Sequence, residues 1–293
     1  MYHIIFNPIS GRKGKSKEKI KELFDYLDQN KIEYKLYETT HLNHPKELAK
    51  EITTQNDSGN IIVIGGDGTL NEVINGINDF SKWNIGIVPT GSGNDFAACL
   101  KISCKNYLDS LKKILENEPK KVDYIKVNDL TCVNIFGSGI DVDVLVNFEK
   151  HTKLKGSFRY YYSLLEALTH IKWREFDISI DDGPFEHKCG FLVAICNGCQ
   201  FGGGITICPG ANPSDGKLEY VFVNKIKKIQ ILPYLLKLNS GKILKTKKAE
   251  HIYCSKVVIK SEKELVIQID GNIVHNQNNY ECQVIKGGLN IYY

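Results

Sequence analysis

Hydrophobic positions along the first third of the chain change period in a regular order. Residues 3–8 (HIIFNP) read as a short apolar strand, and residues 15–30 put Ile20, Leu23, Phe24 and Leu27 on one helical face. A strand over 33–40 and a helix over 44–55 follow. The unbroken β-branched run Ile61, Ile62, Val63 and Ile64 then suits a central strand buried on both faces. Leu70, Val73, Ile74 and Ile77 return to helical spacing, and residues 83–100 repeat the succession of strand, glycine turn and helix. This alternation predicts an open, doubly wound parallel sheet with right-handed crossovers.

After about Pro119 the pattern shortens. Segments such as KVDYIKVND, HKCGFLVAICNG, KLEYVFVN and ELVIQIDG alternate in polarity and are punctuated by Gly, Asp and Asn, as an antiparallel sandwich requires. Two helices interrupt them, near 157–172 and 227–239. The expected fold is therefore α/β: an N-terminal doubly wound parallel sheet nucleotide domain over 1–120, a C-terminal antiparallel β-sandwich domain over 121–282, and a cleft between them.

The chemistry concentrates where strands meet glycines. Gly65, Gly66, Asp67, Gly68 and Thr69 form a turn between a strand and a helix, where unpaired helix N–H groups and bare backbone suit a phosphate. Asp67 repels phosphate unless a divalent cation lies between them, so the turn points to a metal and a phosphate together. A capped glycine turn is the plain alternative. The second loop, PTGSGNDFA (89–97), carries Thr90, Gly91, Asn94 and Asp95 and would lie beside the first. Two such loops, each with an aspartate at a helix start, favour a nucleotide with magnesium. GRKGKS (11–16) fails as a P-loop because Ile9 stands where a glycine is needed. Asn7, Ser10, Gly11, Arg12 and Lys13 remain candidate nucleotide contacts, and Thr40 falls at the same carboxyl edge of the sheet.

Composition narrows the class. The 293 residues are 42% hydrophobic and 25% charged, and no apolar run approaches the roughly 18 residues that span a bilayer. An apolar strand followed by basic residues is the wrong order for a secretory signal. Nine cysteines, an odd number scattered through apparent strands, fit thiols in a cytoplasmic protein. Cys196 and Cys199 have no second pair at zinc spacing. A net charge of +4 is too mild to imply nucleic acid. Residues 225–248 nonetheless hold eight lysines and no acid, interleaved with Ile226, Ile229, Ile231, Leu232, Tyr234, Leu235, Leu236 and Leu238. That stretch reads either as a peripheral contact with an anionic membrane or as a core helix with solvated lysines, interrupted by Pro233.

GGDGTLNEVINGI followed by PTGSGNDFA resembles the diacylglycerol kinase catalytic domain family, in its small soluble bacterial lipid kinase branch. The resemblance continues through VNIFGSGID (133–141), NGCQFGGGITICPGANPSDGKLE (197–219), GKILK (241–245) and IDG (269–271). It implies ATP and magnesium bound at Gly65 to Thr69 and Thr90 to Asp95, and transfer of the γ-phosphoryl group to a lipid hydroxyl, with diacylglycerol the first candidate. It implies a return of the last residues, about 283–293, to the first domain. It also implies a structural magnesium site from the Asp215 carboxylate and the carbonyls of Asn212 and Lys217, where an Asp-Gly hairpin turn is the alternative. The family's favoured base is a glutamate after Asp-Gly. Here Asn272 stands in that place and cannot accept a proton, so Asp67 or Asp270, or another acid, takes that role. A catalytically weak nucleotide- and membrane-binding relative and an NAD kinase are the alternatives, and a homodimer stays open.

Overall fold

The computed structural model describes residues 1–11, 15–151, 154, 156–169 and 173–293. Contacts divide the chain into two compact units: Met1–Tyr124 with Pro213–Gly216 and Ile285–Tyr293, and Ile125–Asn212 with Lys217–Val284.

The first unit holds β1 (Tyr2–Phe6), α1 (Lys15–Gln29), β2 (Tyr34–Glu38), α2 (His44–Gln55), β3 (Gly59–Gly65), α3 (Asp67–Ile74), β4 (Trp83–Pro89), α4 (Asp95–Cys99) and α5 (Tyr107–Glu116). β1 lies between β2 and β3, and β3 pairs with β4, all in parallel. The edge beyond β4 is closed by the end of the last strand, where Asn290, Ile291 and Tyr292 pair in parallel with Asn84, Ile85 and Gly86. Ile20, Leu23 and Leu27 of α1 and Leu111 and Ile114 of α5 pack on Ile4, Ile62, Ile64 and Val88. The alternate residues Ile5, Ile61, Val63 and Ile85 are equally buried, so the sheet hides both faces, as its unbroken apolar runs require. β1 stops at Phe6, two residues short of the 3–8 reading, because Asn7 turns there and its side chain accepts the Ile9 N–H.

The chain leaves this unit along β5 (Lys120–Val127). The second unit contains β6 (Leu130–Cys132), β7 (Ile135–Gly139), α6 (Ile140–Lys150), α7 (Gly156–Thr169), β8 (Arg174–Ile180), β9 (Glu186–Cys196), β10 (Gln200–Phe201), β11 (Ile205–Thr206), β12 (Leu218–Asn224), α8 (Ile231–Asn239), β13 (Ala249–Cys254), β14 (Lys256–Ile269) and the first part of β15 (Asn272–Tyr292). Antiparallel pairing joins β13 to β12, β12 to β9, β9 to β7 and β8, and β14 to β7, β8 and β15. Side chains alternate as the period of two demands. Val193 and Ile195 face one cluster with Phe136, Phe176 and Phe222, while Leu192 and Ala194 face another. Ile140 and Val144 of α6, Ala167 of α7 and Ile231 and Leu238 of α8 cover that second cluster.

One strand that the sequence pattern runs together is divided. TCVNIFGSGI breaks between Cys132 and Ile135 because the N–H groups of Val133, Asn134 and Ile135 turn to the Asp270 carboxylate. Asp270 and Gly271 both take positive φ, 52° and 86°, in the two-residue turn where Ile269 pairs with Asn272. This is the Asp-Gly hairpin geometry. It occurs at 270–271, whereas Asp215-Gly216 precedes β12 in a loop that joins no paired strands.

Candidate functional site

Three strands that are neighbours in the parallel sheet deliver three loops to one place. Asn7 follows β1, and its amide donates to Thr69 Oγ1 at 2.9 Å. Ser10 receives a hydrogen bond from Thr90 Oγ1 at 3.1 Å, and a Cβ on Gly11, at φ +85°, would meet the Thr90 carbonyl at 2.3 Å. The Asn7–Gly11, Gly65–Thr69 and Thr90–Asp95 segments are thus assembled by the strand order β1, β3, β4. Thr40, after β2, is exposed, and its N–H donates to His44 Nδ1. Among the bonds described, nothing joins it to the other three loops. Arg12 and Lys13 lie outside the described residues.

The glycines are required by contact. A Cβ on Gly66 would fall 2.9 Å from Gly91 Cα, and one on Gly91 would fall 2.5 Å from Gly66 Cα and 2.8 Å from Asn94 Oδ1. A Cβ on Gly65 would meet Thr69 Cβ at 2.6 Å. The second loop is pinned by Asn94, whose Oδ1 accepts the Gly91 N–H at 2.9 Å while its amide donates to the Gly91 carbonyl at 2.8 Å. Asn94 adopts a left-handed conformation, φ 57° and ψ 42°, just before α4 begins at Asp95.

Asp67 is the first residue of α3, and Phe96 N–H reaches its Oδ1 at 3.3 Å. Burial and then the neighbouring Asp95 charge push its pKa up to about 6, against the pull of the 94–96 backbone. Two carboxylates held together out of water are stabilised by a divalent cation. Among the described residues no three His, Cys, Asp or Glu side chains gather at metal-binding spacing, so an ion here would take its other ligands from phosphate and water. Magnesium, which keeps several waters and binds one or two carboxylates beside phosphates, fits that donor set.

The other expected positions are dispersed. Asn212, Asp215 and Lys217 are exposed in the loop before β12. Within the first unit this loop is anchored by Asp123, which the sequence reading missed. Asp123 is 3% exposed, accepts Gly216 N–H on Oδ2 and Gly287 N–H on Oδ1, both at 2.6 Å, and gives its own N–H to the Pro213 carbonyl. An aspartate among the buried positions of the KVDYIKV strand was the available signal. Asp270 is not a free base: Oδ1 accepts from Asn134 N–H, Ile135 N–H and the Cys132 thiol, and Oδ2 from Val133 N–H. Its role is to hold the 132–135 backbone. Asn272 begins β15, half-buried.

Residues 1–127 match the description of the diacylglycerol kinase catalytic domain, and residues 134–292 match the YegS C-terminal NAD kinase beta sandwich-like domain. The chain belongs to the diacylglycerol kinase catalytic domain family. Among its relatives within that family's bacterial lipid kinase branch, the diacylglycerol kinase of Staphylococcus carnosus (strain TM300) is 29% identical over 92% of this chain and 87% of its own length. The diacylglycerol kinase of Bacillus subtilis (strain 168) is 26% identical over 92% and 88%. A crystal structure of a diacylglycerol kinase from Bacillus anthracis str. Sterne superposes with a TM-score of 0.73 at 22% identity, covering 100% of this chain and 96% of that one. That likeness shows a shared fold. No helix among the described residues is long and apolar enough to cross a membrane.

Proposed function

We propose that this family member is an ATP- and magnesium-dependent lipid kinase that transfers the γ-phosphoryl group to a lipid hydroxyl, diacylglycerol going to phosphatidic acid. The observation that carries the reading is the meeting of two glycine loops backbone to backbone beside the Asp67–Asp95 pair. Bare backbone at Gly65, Gly66 and Gly91 admits a polyphosphate closely. Asn7, Ser10, Gly11, Thr69 and Thr90 would orient it, with Arg12 and Lys13 adding charge. Asp67 and Asp95 would hold magnesium, which when bound offsets the charge that builds on the transferred group. A second magnesium on Asp215 and the carbonyls of Asn212 and Lys217 would brace the loop that Asp123 anchors. In this reading residues 1–120 with 283–293 form the nucleotide domain and 121–282 the lipid-binding domain.

A lipid acceptor implies work at a membrane, and α8 has the surface for it. Its inward face, Ile231 and Leu238, is 6% and 5% exposed, while Ile229, Leu232 and Leu236 are 86%, 62% and 62% exposed. Lys225, Lys227, Lys237, Lys242, Lys245, Lys247 and Lys248 are exposed around it. One face of this helix is core, and the exposed apolar residues ringed by lysine support the membrane reading of residues 225–248. Each lysine near an anionic surface contributes about 1 kcal/mol, enough together for reversible attachment.

The deciding experiment is incubation of the purified chain with radiolabelled ATP, magnesium and a panel of lipid alcohols, with NAD as a separate acceptor. Labelled phosphatidic acid from diacylglycerol is expected. Labelled NADP, or no labelled product beside tight ATP binding, overturns the proposal. The second outcome would favour a nucleotide-binding relative without turnover, the reading that Asn272 supports.

A further inference from the structure

β2 ends at Glu38, and a short turn carries the chain to α2, whose first residue is His44. Glu38 pairs with Phe6, so the turn begins beside the start of the Asn7–Gly11 loop. It is fastened to two elements that carry the glycine site. Thr39 gives its N–H to the carbonyl of Phe6, the residue before Asn7, at 2.9 Å. Asn43, at φ 67°, offers α2 no side-chain cap, and its N–H is held by the Glu72 carboxylate on α3, the helix that Asp67 opens.

Between those fastenings the turn is closed by two imidazoles. His41 and His44 stack with ring centroids 4.5 Å apart and planes 11° from parallel. The Thr40 N–H donates to His44 Nδ1 at 3.0 Å. Only a ring nitrogen without a proton can accept a backbone N–H, so this contact requires His44 as the neutral Nε2–H tautomer. His41 is different. Its Nε2 lies 3.3 Å from Glu47 Oε2 and its Nδ1 lies 3.0 Å from Thr40 Oγ1, so a proton on each nitrogen keeps both contacts. A proton on His44 Nδ1 would instead set a donor against the Thr40 N–H, and with His41 charged it would place two cations face to face. We propose that His44 is a positioning residue for the nucleotide: its unprotonated Nδ1 holds Thr40 in the shape that receives ATP, and a proton there releases the turn. The proposal rests on the reading of the glycine loops as a nucleotide site, which the turn reaches through Phe6 and Glu72. Lys46 and Glu47 on α2 and Glu72 on α3 are the charged groups around the pair. Burial raises the Glu72 pKa against the pull of the Asn43 N–H, so this carboxylate also takes up a proton in acid more readily than a solvated one.

Calorimetric binding of ATP with magnesium to the full chain, at pH 7.5 and at pH 5.5, tests the assignment. ATP, Asp67 and Glu72 also titrate in acid, so wild type is compared at each pH with His44→Asn, whose Oδ1 accepts the Thr40 N–H and does not titrate. The two proteins should bind alike at pH 7.5. At pH 5.5 wild type should bind at least ~5-fold more weakly than the variant, the size of one net hydrogen bond. His44→Leu offers no acceptor and should show about that loss already at pH 7.5. A ratio of wild type to His44→Asn that does not change with pH overturns the positioning role. So does a ratio that moves the other way, because an imidazolium would then be attracting the phosphates. Absence of ATP binding by all three proteins at pH 7.5 is a distinct result, which removes the nucleotide reading and the proposal with it. The Thr40 amide resonance supplies a readout that needs no ligand: it should shift through the imidazole range in wild type and stay still in His44→Asn. A Thr40 amide indifferent to pH in wild type also overturns the proposal.

Discussion

Gly66 and Gly91 bring two loops of the parallel sheet into backbone contact, so that a Cβ on Gly91 would stand 2.5 Å from Gly66 Cα. Backbone cannot yield as a flexible side chain does. Gly91→Ala should therefore push the loops apart, lowering stability by about 1 to 3 kcal/mol and nucleotide affinity at least ~10-fold. Calorimetric ATP binding and thermal unfolding check both, and a variant with wild-type affinity would show that the contact is incidental.

Asp67 should be required for turnover yet costly to the empty fold. Its folded pKa of about 6 lies above its ordinary value of 3.8, so the folded chain binds the proton more tightly than the unfolded chain does. Stability from this group is full below about pH 4 and declines as pH rises toward 6, then levels. Asp67→Asn should flatten that decline and, at pH 7.5 without magnesium, stabilise the chain by roughly 1 to 2 kcal/mol after allowance for solvent screening. Phosphoryl transfer should fall to background. Melting curves from pH 4 to 8 with and without magnesium are the measurement.

Asp123 and Asp215 should separate cleanly. Asp123→Ala strands the N–H groups of Gly216 and Gly287 in a buried place and should cost about 2 to 5 kcal/mol, whatever the metal. Asp215 is exposed, so Asp215→Ala should change stability by less than about 0.5 kcal/mol in chelator. In magnesium it should lose part of the wild-type gain in melting temperature. An equal gain in both proteins would leave Asp215 as a turn residue alone.

Asn272→Glu should not raise the maximal rate if another acid already accepts the proton, because the new anion would then only add repulsion toward the phosphates. A rise of about tenfold or more would mean that the site lacked its base. Steady-state rates with saturating ATP and lipid decide between these.

Leu232→Gln combined with Leu236→Gln removes most of the exposed apolar ridge of α8 and leaves Ile231 and Leu238 in the core. The fold should keep its stability within about 1 kcal/mol. Sedimentation with anionic vesicles should weaken several-fold, and raised salt should weaken it further. Unchanged binding would exclude this helix as the docking surface.

Local periodicity and turn chemistry determined the element types of this chain, and they were legible for a physical reason. A strand buried on both faces needs an unbroken β-branched run such as Ile61 to Ile64, a glycine loop needs its glycines, and α2 occupies the same residues, 44–55, that its apolar spacing marks. The positions of Gly65 to Thr69 and Thr90 to Asp95 were legible in the same way, because bare backbone at a strand end is written in the residues themselves. What tertiary structure alone decided is which polar side chains are already engaged. Asp270 follows the same Asp-Gly signal as any turn, yet only folding brings Val133, Asn134 and Ile135 onto its carboxylate. Asp123 sits 93 residues from Gly216 and 164 from Gly287. Hydrogen bonding and burial at such separations follow from strand pairing, which no local pattern encodes, so the partners of an acid appear only once the strands are in register.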